Sequence, residues 1–519
     1  MTNLQTSGNT RSEYSAFLDD SVLQPEMQGA LTLPSLPLGT GDFTIALNAR
    51  WMGDEAGSGD LVTQFDARAR RGITLGVSSL GAACGTQTHR LKLSFGIDAG
   101  TDPDWTDLGN PGGNTVFPFA LCEFKGAMYV AVLSSDAESS KGAVYRHDES
   151  KGWVDCGCPC RGNAVTAMVV LDGMLYVAAS CYDPKGTHLA AVSNMEPDGR
   201  IFAYDGVNWT DCGKPSDCAM TGCMATLNGQ IYATMLHQYT NVISHPENGL
   251  YRMVRQGEWE FCGNPGARVA PIIARGGRII AGGFDGGEIY TYDSESQAWE
   301  NWGKPPFEET SQIYSFVEYK GEILAGTWKV AKVFAVEGPH RFRDLGTMGN
   351  ELEVMPMALF NGKLYAGTLP LAQIYRFEDE EGWQLIDRLD HTHTQYRRIY
   401  AMAVSQGWLY CGAVPSGHIF RMRAGDVVST ENGFPSGWHH VTAVRRSNRL
   451  SLYIDGQKVA EQSEPPHWLA DRSLDLTSPA PLCIGNGPAG PWKGELTNGR
   501  IYPRALSEEE VSALASQQT

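Results

Sequence analysis

Apolar residues recur every second position over short stretches of this chain, and glycine-bearing turns separate the stretches. Phe43-Thr-Ile-Ala-Leu-Asn-Ala-Arg-Trp51 alternates in this way, as do segments 61–65, 72–77 and 91–95. A period of two marks a half-buried β-strand, because successive side chains point to opposite faces of the pleat. Further on, one grammar repeats: a strand, a turn with glycine, and a second strand rich in aromatic and branched residues. The turn and second strand read Lys125-Gly-Ala-Met-Tyr-Val130, then recur from Gly173, Asn228, Gly276, Lys320, Asn361 and Gln406, seven times in all. A third strand follows, such as Gly199-Arg-Ile-Phe-Ala-Tyr204, and a fourth carries an aromatic residue.

The fourth strand has its own signature. Residues 208–215 read Asn-Trp-Thr-Asp-Cys-Gly-Lys-Pro, with related copies at 104–111, 152–159, 258–265 and 298–305 and weaker ones at 341–346 and around Trp383. A spacing of roughly 40–55 residues is that of a repeat architecture. Seven four-stranded units predict a seven-bladed β-propeller over residues 101–433, a ring that leaves only short, protected edges. The copy at 104–111 has no inner strands before it, and the last unit (400–423) has no tryptophan strand after it. The early strand is therefore expected to complete the last blade, leaving both ends of the ring side by side. A ring with adjacent ends can be inserted into another domain.

Strands outside the ring lie in two separated pieces, 13–100 and 434–519. The second piece holds Gly437-Trp-His-His-Val441, a hairpin turning at Asp455-Gly456, and Leu482-Cys-Ile-Gly-Asn486. It closes on a short helix, with Ser507 as N-cap and Glu510 completing a capping box. These motifs, with Phe43-Thr-Ile45, Leu452-Tyr-Ile-Asp-Gly456 and the run from Gly499-Arg-Ile-Tyr502 to Val511, resemble the laminin-G-like jelly roll of the concanavalin A-like superfamily. The resemblance implies one sandwich interrupted by the propeller. Thr497-Asn498 stands where that family usually has an acidic pair, a departure that counts against an inherited ion-binding role there. Residues 1–12 are polar and are expected to be disordered. The fold class is thus all-β.

Composition narrows the function classes. A formal net charge of −18 over 519 residues disfavours non-specific binding to nucleic acid or anionic membranes. No apolar run is long enough to span a bilayer. The N-terminus lacks the apolar core of a signal peptide, so the sequence as written reads as cytoplasmic, or as extracellular or periplasmic if a leader was removed. The 12 cysteines are even in number. Yet Cys156, Cys212 and Cys262 share a repeat position with Leu108, Trp302 and Leu345, which argues for small packing residues rather than disulfides. Cys156, Cys158 and Cys160, with Cys218 and Cys223 nearby in sequence, resemble part of a metal site. No histidine stands at finger or ribbon spacing from them, so no metal ligands are assigned. No cofactor is expected beyond a structural cation in the propeller channel or the jelly roll.

Candidate chemistry is sought in the loops joining second to third strands, which surround one mouth of a propeller channel. These are short at 284–287, 328–331, 369–372 and 414–417, and long at 134–141, 181–198 and 237–248, an asymmetry that predicts a walled groove. Its polar residues include Tyr182, Lys185 and His188 on one blade, His237, Tyr239, Asn241 and His245 on the next, and His391, His393, Tyr396 and Arg397 opposite. Arg268, Trp328 and Lys329 complete the arc. An arginine can neutralise a uronate carboxylate while histidine or tyrosine moves protons, as a lyase requires. The expected catalytic set is His237, Tyr239, His188 and Arg397, and the expected substrate contacts are His245, Arg268, Trp328, Lys329, His393 and Tyr396. Each histidine has a plain structural reading too, as a hydrogen-bonded strand end or a solvated group. His391 and His393 lack a third ligand, and His439 and His440 belong to a sandwich strand. Among the loop carboxylates Glu309, Glu351, Glu353 and Asp285, no glycosidase pair stands out.

The repeat domain is similar in architecture to kelch-like propellers and to seven-bladed lyases acting on ulvan and rhamnose–glucuronate linkages, which use His, Tyr and Arg in a central groove. Their catalytic motif does not map residue by residue. These resemblances imply a carbohydrate-active protein, a poly- or oligosaccharide lyase ahead of a glycoside hydrolase, with an accessory glycan-binding jelly roll. The alternative is a non-catalytic glycan- or protein-binding propeller.

Overall fold

The computed structural model describes residues 15–517 apart from 55–56, 80–81, 84–85, 88–90, 136–139, 186, 188, 190–191, 238–244, 308–309, 448 and 463–472. It is all-β: a seven-bladed propeller set into a loop of a two-sheet sandwich. Each blade is a four-stranded antiparallel meander. Blade one runs Thr115–Phe124, Ala127–Ser134, Ala143–Asp148 and Gly152–Asp155, and blades two to six repeat this order through Arg388. Blade seven uses Arg398–Ser405, Trp408–Val414 and Ile419–Arg423 and takes its outer strand from far upstream. Asp104–Asp107 pairs antiparallel with Ile419–Arg423, Trp105 opposite Met422, and closes the ring.

The hairpin between the first two strands of each blade turns through a residue pair with positive φ, such as Asn228 (52°) and Gly229 (69°). Only a turn of this hand matches the twist of the flanking strands. The outer-strand motif acts in two ways. Its Asp accepts the backbone N–H of the turn glycine two residues on, as Asp211 does for Gly213 at 2.7 Å, Asp155 for Gly157 at 2.8 Å and Asp344 for Gly346 at 2.7 Å. Its tryptophan reaches the preceding blade. Trp153, Trp209, Trp259, Trp299 and Trp383 each donate an indole N–H to the carbonyl of Leu108, Cys156, Cys212, Cys262 and Leu345, at 2.8–3.1 Å. The acceptor is always the residue three places after the neighbouring blade's own aromatic. Blade five has Phe342 in place of tryptophan, and there the backbone N–H of His340 takes the Trp302 carbonyl at 2.7 Å.

The described cysteines are free thiols. Cys212, Cys218 and Cys223 are wholly or almost wholly buried. Burial pushes the thiols of Cys156 and Cys158 up to about 11 and about 12, so both stay protonated as packing groups.

One sheet of the sandwich has the order Ser15–Ala16, Gly494–Tyr502, Phe43–Trp51, Gly437–Arg446, Arg449–Ile454 and Gln457–Glu461. The other has Leu31–Leu33, Leu482–Ile484, Ser58–Asp66, Arg71–Ser78, Lys92–Ala99 and Asp426–Ser429. Their inner faces bury one core, with Ile45, Leu47, Leu75, Phe95, Val441, Leu452 and Trp492 at its centre. The closing helix Glu508–Ser516 carries the full Ser507–Glu510 capping box.

The sandwich covers the ring at the end opposite the long loops. Three buried or nearly buried ion pairs cross between them: Lys363 with Asp98, Lys92 with Glu123 at 2.5 Å, and Lys493 with Glu318 at 2.7 Å. One sandwich hairpin goes further. Its short strands Ala82–Ala83 and Thr86–Gln87 enter the ring, where Ala83 pairs with Ser315 on the inner strand of blade five and Thr86 with Met168 on that of blade two.

Candidate functional site

At the opposite, loop-bearing mouth the inner strands begin and the second strands end. Their residues line a cavity of about 260 Å³ that draws on blades two to seven. Tyr182 and Tyr400 of this lining belong to a buried aromatic cluster. Phe117 and Phe119 stack at 4.0 Å between centroids, and Tyr182 and Tyr400 both meet this pair edge-on, at 4.5–5.6 Å. Tyr314, Phe284, Trp328 and Tyr396 complete an aromatic wall. Such surfaces suit the flat apolar faces of sugar rings as well as other planar ligands.

Two charged groups break this wall. Arg398 begins the inner strand of blade seven, and its guanidinium carbon lies 5.8 Å from the Phe117 ring centre. Glu353 begins the inner strand of blade six and comes within 3.9 Å of Arg398. That is too long for a hydrogen bond, and both the Glu353 Oε1 and the Arg398 Nε are buried with no hydrogen-bond partner. Burial drives the Glu353 carboxyl above its usual range, with Arg398 pulling the other way. Burial also works against the Arg398 charge, but Glu353, Tyr182, Tyr314 and Tyr400 outweigh it and keep the guanidinium firmly protonated. The cavity therefore holds a fixed cation ringed by phenol groups, with a donor to spare.

The residues expected from the sequence fall into separate places. Trp328 and Tyr396 line the cavity. Arg397 does not: its guanidinium donates to the carbonyls of Thr392 at 2.9 Å and Pro370 at 3.4 Å. Arg268 is buried and committed through two nitrogens to Asp285, and its Nη1 holds the His237 carbonyl at 2.6 Å. Lys329 and His393 are exposed. His188 and Tyr239 lie outside the described residues, as do Asn241 and Glu309.

His237 and His245 sit together beside the cavity, their rings 4.1 Å apart in an edge-to-face contact. They belong to a second cluster with Cys218 and Glu247, in which one ligand-type atom from each residue lies within 4.8 Å of the others. Burial, and then His245, lowers the pKa of His237, while burial pushes Cys218 up to about 11. Arg398, Tyr314 and Tyr400 went unnamed at the sequence level. The signal was available, since all three stand at the start of inner strands, the positions that face a propeller channel.

A family model described as the laminin G-type concanavalin A-like lectin/glucanases superfamily matches residues 380–512. That window opens within blade six and reaches the sandwich only at Asp426. Among curated proteins none matches. Solved structures similar to the chain include the extracellular domain of a putative one-component system, BT4673, from B. thetaiotaomicron. It is 13% identical, with TM-score 0.45, covering 68% of this chain and 52% of that one. The WD40 β-propeller domain of Doa1 is 10% identical with TM-score 0.42, covering 61% and 96%. YCF48 bound to a D1 peptide is 12% identical with TM-score 0.41, covering 62% and 96%.

Proposed function

We propose that the protein acts on uronate-bearing glycans by β-elimination in the channel-mouth cavity. The observation that carries this reading is the buried Arg398 guanidinium, its Nε unpaired, among Tyr182, Tyr314 and Tyr400. A uronate carboxylate on Arg398 loses negative charge to the guanidinium, which acidifies the hydrogen on the adjacent ring carbon C5. A tyrosine oxygen takes that proton. The C5–H electrons become the C4=C5 double bond, the C4–O bond breaks, and a second hydroxyl protonates the leaving oxygen. Trp328 and Tyr396 offer faces on which neighbouring sugars stack. Hydrolysis fits less well, since it uses two carboxylates about 5–9.5 Å apart, and Glu353 is the one carboxylate among the described residues of the lining.

The lectin part of the matching family description favours a second reading, in which cavity and sandwich bind glycan without cleaving it. One experiment separates them. Incubation with a panel of uronate polysaccharides should raise the ultraviolet absorbance of the conjugated product, and Arg398→Ala should lower the rate by about 10²–10³-fold, as expected for loss of a charge-stabilising donor. Tyr400→Phe and Tyr182→Phe identify which phenol moves the proton. Retained binding with no absorbance change across the panel supports the binding-only reading.

A further inference from the structure

We propose that Cys218, His237, His245 and Glu247 form a site for one tetrahedral cation of the zinc class, joining the connection between blades two and three to the end of one strand and the approach to the next. This site is separate from the Arg398 cavity, and its test does not depend on the elimination reading.

The geometry is close to what such an ion needs. The four ligand-type atoms lie within 4.8 Å of one another. Around tetrahedral zinc, with bonds of about 2.0–2.3 Å, ligand atoms stand roughly 3.3–3.8 Å apart, so a contraction of about 1 Å completes the shell. The donor set is selective. One sulfur, two imidazoles and one carboxylate suit zinc, whereas calcium and magnesium take oxygen alone. A thiolate and a carboxylate also balance the two charges of the ion, and the neutral imidazoles add none.

The surroundings point the same way. Cys218 is fully buried, and its Sγ makes only long contacts to the Glu247 carbonyl (3.4 Å) and Asn248 Oδ1 (3.7 Å). The Nε2 of His237 is buried with no hydrogen-bond partner, an expensive vacancy for a polar atom unless a ligand fills it. The backbone around the site is already held. The His237 N–H donates to Asn248 Oδ1 at 2.8 Å, and its carbonyl is gripped by Arg268, itself paired with Asp285. The Glu247 N–H reaches His245 Nδ1 at 3.3 Å and orients that ring. Outer contacts of this kind fix ligand orientation in metal sites. The ligands also come from three stretches: the connection before Met220–Leu227, the residue directly after Gln230–Leu236, and the approach to Gly249–Arg255. An ion there would link these three stretches next to Leu236, a residue of the cavity wall.

The full chain, produced in zinc-supplemented medium and dialysed without chelator, should retain about one zinc per chain by elemental analysis. After stripping, added Co²⁺ should give the visible bands of a tetrahedral ion and an ultraviolet sulfur-to-cobalt charge-transfer band. Cys218→Ser should abolish the charge-transfer band, and Glu247→Gln should weaken Co²⁺ binding at least tenfold. Should Cys218→Ser fail to fold by circular dichroism, His245→Ala, at a half-buried position, carries the same test through loss of the visible bands. A folded wild-type chain that retains no zinc and shows no cobalt bands overturns the proposal. So does a Cys218→Ser variant with the charge-transfer band intact.

Discussion

Asp60 is 4% exposed and accepts the Ala489 N–H at 2.6 Å, and burial raises its pKa from 3.8 to about 7. In the unfolded chain it ionises near the ordinary value, so between roughly pH 4 and 7 the folded state holds a proton that the unfolded state has lost. Stability from this group is full below the lower value and falls as pH rises through the window, by on the order of 4 kcal/mol. Asp60→Asn should remove that decline: denaturant midpoints of wild type and variant, measured from pH 4 to 8, should diverge in favour of the variant as pH rises. At the same scale, Arg397 and Arg398 adjoin in sequence and go opposite ways, one to loop carbonyls and one into the channel. Alternation guarantees the opposition but not which residue faces inward. That depends on where Arg398–Ser405 starts, and no turn residue at 391–396 marks the start. Tyr396 and Trp328 were readable as cavity residues because loop-end aromatics at this mouth have little else to pack on. The His237 cluster was not, because its thiol is supplied from the other side of an entire hairpin.

The repeated tryptophan strand behaves as a set of staples between blades. Trp209→Phe keeps the ring packing, deletes the 2.8 Å bond to the Cys156 carbonyl and should cost about 1 kcal/mol. Trp105 packs in the same way, yet its Nε1 is buried without a hydrogen-bond partner. Trp105→Phe should therefore be neutral or slightly stabilising. Urea midpoints of the two variants test the difference, and equal losses would mean that the indole N–H contributes nothing. Ring closure by 104–107 could be read from the sequence because the strand is a countable copy without inner partners. The hairpin at 82–87 could not, since Ala-Ala and Thr-Gln carry no alternation and its partners are inner strands of another domain.

For the whole molecule, the seam between ring and sandwich rests on buried charge. Lys363 and Asp98 are 3% and 0% exposed, and burial lowers the lysine pKa. Lys363→Met leaves an unpaired buried carboxylate and should cost about 3–5 kcal/mol, while adding Asp98→Leu should recover most of it. Thermal unfolding of the single and double variants decides this, and equal losses in both would show that packing, not charge, dominates there.

The central hairpin and the closing strand share a further property: both precede the blades in the chain. A ribosome releases the axle at 82–87 and the latch at 104–107 first, and the latch then waits for roughly 310 residues before its partner strand Ile419–Arg423 exists, on the order of half a minute at about 5–20 residues per second. Both segments thus leave the ribosome before any of the blade strands they pair with. Until the last is made, the nascent ring has an open edge.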